Sequence, residues 1–240
     1  MVVGASGGIG AALVQALAAS GKFDAVVALS RAGVQPAAAG STRIIHGTID
    51  LLDEQSIVAA VQGPVARAGA PLRLVLVATG MLQGEGIAAP ERTLRTLDAA
   101  SMLQSYRINA IGPALVAKHM LPLLPRPARS VFAALSARVG SIGDNRLGGW
   151  HSYRAAKAAL NMTLRNMAIE LARTHPHAIC IGLHPGTVDT GLSQPFQGGV
   201  AKDRLFSPEF AAASLLSVVD AATPAQSGHV LAYDGTSVPP

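Results

Sequence analysis

The sequence predicts a doubly wound α/β fold, with a parallel seven-stranded sheet covered by helices on both faces. Three observations carry this. Short, continuous apolar runs, such as residues 72–78 and 131–135, alternate with helical stretches along the whole chain. Strands apolar throughout belong to sheets buried on both sides. Half of the 240 residues are hydrophobic and 14% are charged, which suits a large covered core. A glycine-rich turn, GASGGIG, follows the first apolar residues, where such a fold opens its first helix. The chain is long for one domain, but α/β folds of this size are often single units. Without a linker or an internal repeat, residues 1–240 are expected to form one domain.

The elements follow in order. Residues 1–3 are the stub of a first strand, because only three residues precede the first glycine, and a helix runs over about 9–20. Strands at 25–29, an aliphatic run, and at 42–46, centred on two isoleucines, come next. A helix over about 53–61 leads to the apolar fourth strand, 72–78. A long helix begins near Asp98, whose carboxylate is a good N-cap, and runs to about 121. The fifth strand is 130–135, a helix covers about 153–173, and the sixth strand is 178–183. A helix over about 208–220 and a seventh strand at 229–233 finish the chain. Stretches 137–150 and 191–207, rich in Gly and polar residues, read as irregular. Each follows a strand, so each is expected at the ligand-binding edge of the sheet.

Composition excludes several classes. The apolar runs are too short to span a bilayer, and the first residues already form the glycine loop, so neither a membrane segment nor a secretory signal is expected. The single cysteine, Cys180, cannot build a disulfide framework within the chain and points to a reducing cytoplasm. The net charge of +5 is spread without a dense Lys/Arg run, so nucleic acid is not an expected partner, whereas an anionic cofactor is. No His/Cys/Asp/Glu cluster has metal-ligand spacing, and no Gly-x-Ser-x-Gly elbow suggests a hydrolase.

Two motifs carry chemistry. In GASGGIG, Gly4, Gly8 and Gly10 let the backbone approach a pyrophosphate, and the helix that follows offers amides and a positive dipole end. A plain glycine turn is the alternative reading. In WHSYRAAKAALN, Tyr153 and Lys157 stand four residues apart, on one face of a helix. A lysine ammonium near a phenol lowers the phenol's pKa from about 10, a way to make a general acid/base. Ser30 and Arg31 follow the second strand, where an adenosine ribose would lie. An arginine there suits the 2′-phosphate of NADP, where an acid would suit NAD; a solvated surface arginine is the alternative. Asp50, ending the third strand, either accepts from an adenine amino group or serves a turn. His119 and His151 read as structural or solvent-facing. Trp150 and His151 either border a pocket or pack.

These motifs resemble those of the short-chain dehydrogenases/reductases, and the likeness extends over essentially all 240 residues. The family pattern G-x-x-x-G-x-G is met by Gly4, Gly8 and Gly10, and Tyr-x-x-x-Lys by Tyr153 and Lys157. The family's asparagine in the long helix is matched by Asn109 in YRINAIGP, and its Pro-Gly stretch after strand six by HPGTVDT. The string GSIGDNRLGGWHSYRAAKAALN is similar to the C-factor-like, carbonyl-reductase-like branch. The resemblance implies a Rossmann-type sheet, and one domain that both binds a dinucleotide and carries the chemistry. Tyr153 would exchange a proton with a carbonyl or alcohol, Lys157 would lower its pKa and hold the nicotinamide ribose, and Asn109 would anchor a water in a proton relay. The cofactor would be held by Gly4, Ser6, Gly7, Gly8, Ile9 and Gly10, by Ser30 and Arg31, by Asp50 and Leu51, by Ala78, Thr79 and Gly80, and by Tyr153 and Lys157. Thr190, with Pro185, Gly186 and Val188, would hold its carboxamide.

Two departures stand out. The family's Asn-Asn-Ala-Gly is replaced by Val77, Ala78, Thr79 and Gly80, which removes the bracing amides. At the catalytic serine's position, three before Gly140, stands Ala137. Ser136, next to it, is the expected substitute in the catalytic set with Asn109, Tyr153 and Lys157. A strand-end serine bonded to backbone is the alternative.

The sequence is thus read as an oxidoreductase that interconverts a ketone or aldehyde with an alcohol by hydride transfer, using NADP(H) rather than NAD(H). A homodimer or homotetramer is expected, as the family forms. An NADP(H)-binding sensor with little turnover is the competing reading; a dehydratase or epimerase is a third.

Overall fold

A computed structural model describes residues 1–33, 42–84, 86–199 and 201–240. Val200, within the stretch expected to be irregular, lies outside them. The main sheet has eight strands: β1 (Val2–Val3), β2 (Ala25–Ser30), β3 (Arg43–Thr48), β4 (Leu74–Val77), β5 (Ser130–Leu135), β6 (Ala178–His184), β9 (Val230–Ala232) and β10 (Ser237–Val238). Their spatial order is β3-β2-β1-β4-β5-β6-β9-β10. The seven expected strands are all present and pair in parallel. The eighth, β10, is antiparallel to β9 and returns through a turn at Asp234, whose Oδ1 accepts from Thr236 N at 3.0 Å.

Chain order reverses between β1 and β4: Val2 lies opposite Ala28 on one side and Leu76 on the other. Connections leave the sheet in opposite directions there, which opens a crevice at the carboxyl ends of these strands.

Helices cover both faces, as apolar parallel strands require. One face packs against α2 (Glu54–Ala60), α4 (Gly112–Met120) and α5 (His151–Ala172) through Ile57, Val116, Met120, Leu160 and Leu164. The other packs against α1 (Gly8–Ala19) and α6 (Pro208–Ala221) through Leu13, Leu17, Leu215 and Val219. Within β6 the pleat divides these duties, with Cys180 facing the first layer and Ile179 and Ile181 the second.

The long helix starts as expected: Asp98 Oδ1 accepts from Ser101 N at 2.7 Å. It is not continuous, however. It divides into α3 (Ala99–Tyr106), a π turn (Arg107–Ile111) and α4. Pro113 lacks the N–H that would bond the Asn109 carbonyl in an α-helix, so the ladder changes register there. The described residues of the stretch 191–207 are also more ordered than expected. A two-stranded parallel pair, β7 (Thr187–Val188) with β8 (Leu205–Phe206), clips its two ends together.

Candidate active site

The glycine loop joins β1 to α1. Gly4 has φ +89, and a Cβ at Gly10 would lie 2.0 Å from the Gly4 carbonyl oxygen, so the loop tolerates no side chain at either place. Gly7 is the N-cap of α1 and supplies no side-chain cap, and the first turn carries no acidic residue. The amides at the start of this twelve-residue helix are therefore free to meet an anion. Thr79 Oγ1 is buried with no hydrogen-bond partner among the described residues. A glycine cradle, an uncapped helix start and an unpaired hydroxyl beside them fit a pyrophosphate-bearing dinucleotide.

Two adjoining cavities run along this edge of the sheet. The smaller, about 200 Å³, is lined by Gly4, Ser6 and Gly7, by Ser30 and Arg31, by Asp50 and Leu51, and by 78–81. Ser30 is buried and Arg31 exposed, which puts the guanidinium at the rim. Asp50 serves its turn, with Oδ1 accepting from Leu52 N at 2.9 Å, while also bordering the cavity. The larger cavity, about 570 Å³, shares Gly7, Ala78, Thr79 and Gly80 with the first. It continues past Gly8 and Ile9 to Ser136, Ala137, Tyr153 and Lys157, and to Pro185, Gly186, Val188 and Thr190. Of the expected cofactor residues, Gly10 lines neither cavity; it shapes the loop from behind.

On α5, Tyr153 and Lys157 share one face as their spacing requires. Lys157 Nζ lies 5.6 Å from the Tyr153 ring centroid and donates to the Leu135 carbonyl at 2.9 Å. Burial pushes the Tyr153 phenol above its ordinary range and pulls Lys157 down to about 8. The expected lowering of the phenol by the ammonium is thus outweighed in this geometry, because desolvation dominates at Tyr153. The hydroxyl is a neutral acid at pH 7.

Asn109 sits wholly buried in the π turn. Its Oδ1 accepts from Met81 N at 3.0 Å, and its Nδ2 donates to Met81 O at 2.8 Å and Ser105 O at 3.0 Å. It therefore clamps the backbone just beyond Gly80. Ser136 reaches the cavity wall beside Ala137, but its Oγ donates to Asn161 Oδ1 on α5 at 2.6 Å. Its single donor is held by the protein, so a substrate oxygen would have to draw it away. Ser141, the other serine of that stretch, bonds Pro240 O and Asp144 N and does not line the cavity.

Several residues of the site escaped the sequence reading. His184, directly before Pro185, lines the cavity with Nδ1 unpaired among the described residues. Burial, then the charge of Arg138, pulls it down to about 4, so it is neutral. Its place at the carboxyl end of β6 was the available signal. Asn161 lies two turns beyond Tyr153 on the same helix and could have been found by that spacing. Leu82, Val139 and Leu192 make the outer wall apolar together with Phe196, which the sequence reading had weighed, with Leu205 and Phe206, as either an apolar substrate contact or lid packing; Trp150, weighed as a pocket residue, stands between Tyr153 and Phe196 with ring-centroid distances of 6.4 and 5.2 Å.

Comparison with known proteins agrees with this geometry. A family model described as short chain dehydrogenase matches residues 1–199. The chain is 32% identical, over 98% of its length and 96% of the relative's, to 1-hydroxy-2-glutathionyl-2-methyl-3-butene dehydrogenase of Rhodococcus sp. (strain AD45). It is 34% identical to the C-signal protein of Myxococcus xanthus, over 66% of this chain and 90% of that one. Among solved structures, the NADPH-bound carbonyl reductase from chicken fatty liver superposes with a TM-score of 0.80 at 27% identity, covering 99% of this chain and 97% of the other.

Proposed function

The chain belongs to the short-chain dehydrogenase family, an oxidoreductase family, and from that premise we propose that it interconverts a carbonyl compound and an alcohol with NADP(H), Tyr153 being the general acid/base. The observation that carries this reading is one continuous crevice: Arg31 and the glycine loop at one end, Tyr153 and Lys157 at the other. The names of the relatives supply both directions of the reaction, a dehydrogenase acting on a hydroxy compound and a carbonyl reductase with NADPH bound.

NADPH, when bound, supplies the hydride. The chain's own residues do the rest. The amides of Gly8 and Ile9 at the start of α1 would face the pyrophosphate, while Gly7 N donates to Gly4 O within the loop, and Ser30 and Arg31 would receive the 2′-phosphate. Ala78, Thr79 and Gly80 form the floor of the crevice, and Pro185 to Thr190 its far wall. Tyr153, kept neutral by burial, gives its proton to the substrate oxygen as the carbonyl is reduced. Lys157, ionised at pH 7 with its pKa at about 8, sets a positive charge beside the phenolate that remains. Asn109 holds the loop floor in place. The wall of Leu82, Val139, Trp150, Leu192 and Phe196 selects an apolar or aromatic carbonyl compound.

A cytoplasmic setting goes with this reading, because the single cysteine, Cys180, cannot form a disulfide within the chain. The second reading, a cofactor-binding signalling protein, is favoured by the Ser136 proton held on Asn161 and by the likeness to C-signal.

The deciding assay follows oxidation of NADPH, and separately of NADH, against a panel of aliphatic and aromatic aldehydes and ketones. Turnover with NADPH is expected, falling about 10²–10⁴-fold in Tyr153→Phe while NADPH still binds. Saturable NADPH binding with no turnover on any carbonyl would give the second reading the field.

A further inference from the structure

The helix that carries Tyr153 begins without a cap of its own. A helix leaves its first four N–H groups unpaired, and here that end is buried. The residue before α5 is Trp150, which adopts φ 50 and ψ 42, left-handed, and gives no side-chain cap. Among the described residues it is the single non-glycine residue with positive φ. A bulky side chain holds such a conformation only where its surroundings enforce it.

Those surroundings are Glu91, on the loop that follows β4. The Glu91 carbonyl accepts from Trp150 N at 2.5 Å. One carboxylate oxygen accepts from Ser152 N at 3.2 Å, and the other from the Ser152 hydroxyl. Glu91 is 6% exposed and Ser152 4%. Burial pulls the Glu91 carboxyl upward, yet the Ser152 hydroxyl and amide hold it below the ordinary carboxylate range, so it is an anion at a helix N-terminus. The line of buried polar groups continues inward. Ser105 Oγ meets the Ser152 carbonyl at 3.5 Å and accepts from Asn109 Nδ2 at 3.2 Å, and Asn109 grips Met81. Residues 81 and 91, near the two ends of one stretch of the loop, are thereby tied to the two helices that frame the site.

We propose that Glu91 is a positioning residue for Tyr153: reaching across 61 residues of sequence, it caps α5, locks Trp150 in its left-handed turn and so fixes where the phenol points. This rests on the reading of Tyr153 as the acid/base. Tyr153 lies in the first turn of α5, directly after Ser152, so its ring moves with that turn. Trp150 then transmits the same constraint to the apolar wall, because its ring abuts both Tyr153 and Phe196.

The test compares Glu91→Ala, Glu91→Gln and the double variant of Glu91→Gln with Ser152→Ala against wild type, reading kcat, the NADPH Kd and the emission of Trp150, the protein's sole tryptophan. Glu91→Ala is expected to lower kcat about 10–100-fold with the NADPH Kd within about twofold, since misplacement of a catalytic group acts on the chemical step. Its Trp150 emission is expected to shift to the red. Glu91→Gln, which keeps an acceptor, recovers kcat to within about fivefold. Unchanged kcat per folded molecule in Glu91→Ala, with unchanged emission, overturns the proposal. Should that variant not fold, the double variant, which removes both the charge and the hydroxyl bond, decides: a lower kcat at constant NADPH affinity supports the cap, and an unaltered kcat overturns it. If wild type turns over no carbonyl, the activity reading fails separately, and Trp150 emission alone decides whether Glu91 holds the turn.

Discussion

Burial treats the two members of the Tyr153–Lys157 pair in opposite ways, and stability should record it. Lys157 in the folded chain titrates at about 8, against 10.5 for the free side chain. Between those values the unfolded chain holds a proton that the folded chain lacks, so stability rises with pH across that window. Below pH 8 the full cost of burying the ammonium is present, on the order of 3 kcal/mol before its bond to Leu135 O is credited. Tyr153 has the reverse sign: above pH 10 the folded chain keeps a proton that the unfolded chain loses, and stability falls. Lys157→Met should therefore gain stability relative to wild type at pH 7, and the gain should shrink by pH 10. Urea midpoints at the two pH values check this; a difference independent of pH would contradict it. Such residues were legible in the sequence because their partners are local: Tyr153 and Lys157 are one turn apart, and Gly4, Gly8 and Gly10 share one loop. Glu91 and Ser152 were not, since no local pattern announces a contact between a loop and a distant helix start. The altered ionisation of the pair was hidden for a related reason, because burial is a property of the packed molecule.

At the scale of elements, one helix start, at Asp98, was read from its cap, and two others turn out to be capped in the same way. Asp53, Asp98 and Ser207 each accept from a backbone amide two or three residues on, as their side chains predispose them to do. What happens inside a helix was less visible. The π turn at Arg107–Ile111 places Asn109 against Met81, and the hydrophobic pattern through that stretch gives no sign of it. The consequence is testable. Asn109→Ala leaves the Met81 N–H and C=O without their partner in a buried setting, at a cost of about 1–3 kcal/mol. Thermal unfolding should show a lower midpoint, and the stabilisation conferred by NADPH should shrink, because Met81 borders the cavity shared with the glycine loop. An unchanged response to NADPH would show that the loop floor holds itself. The short strands β7, β8 and β10 were equally silent, since two residues carry no period.

For the whole molecule, the doubly wound sheet was legible because its inner strands are apolar on both sides, whereas the edge strand β3 is not, with Arg43 and Thr48 exposed. Its reversal of order at β1 and β4 then determines which edge receives ligand. Assembly follows from what the helices leave uncovered. On α5, Met162 and Ile169 are seven residues apart on one face and 62% and 47% exposed; Leu103 and Ile111, from α3 and the π turn, are also exposed. We expect this surface to be buried between copies of the chain. Sedimentation should give at least twice the chain mass, and Met162→Glu combined with Ile169→Glu should reduce it to one chain without loss of NADPH binding.

The pairing of β7 with β8 carries a different consequence, for how such a chain changes over time. It binds Thr187–Val188 to Leu205–Phe206, so the segment between them leaves and rejoins the molecule at one place. Lengthening a segment whose ends are already fastened costs little chain entropy, and its residues lie outside the register of the main sheet. Leu192 and Phe196, which line the cavity with Tyr153 at the end proposed for the substrate, belong to that segment, whereas Arg31 and the loop glycines Gly4, Gly7 and Gly8 do not. On the proposed reading, substrate range can therefore drift, or be exchanged by transplanting the segment between relatives, while the choice of cofactor is inherited unchanged.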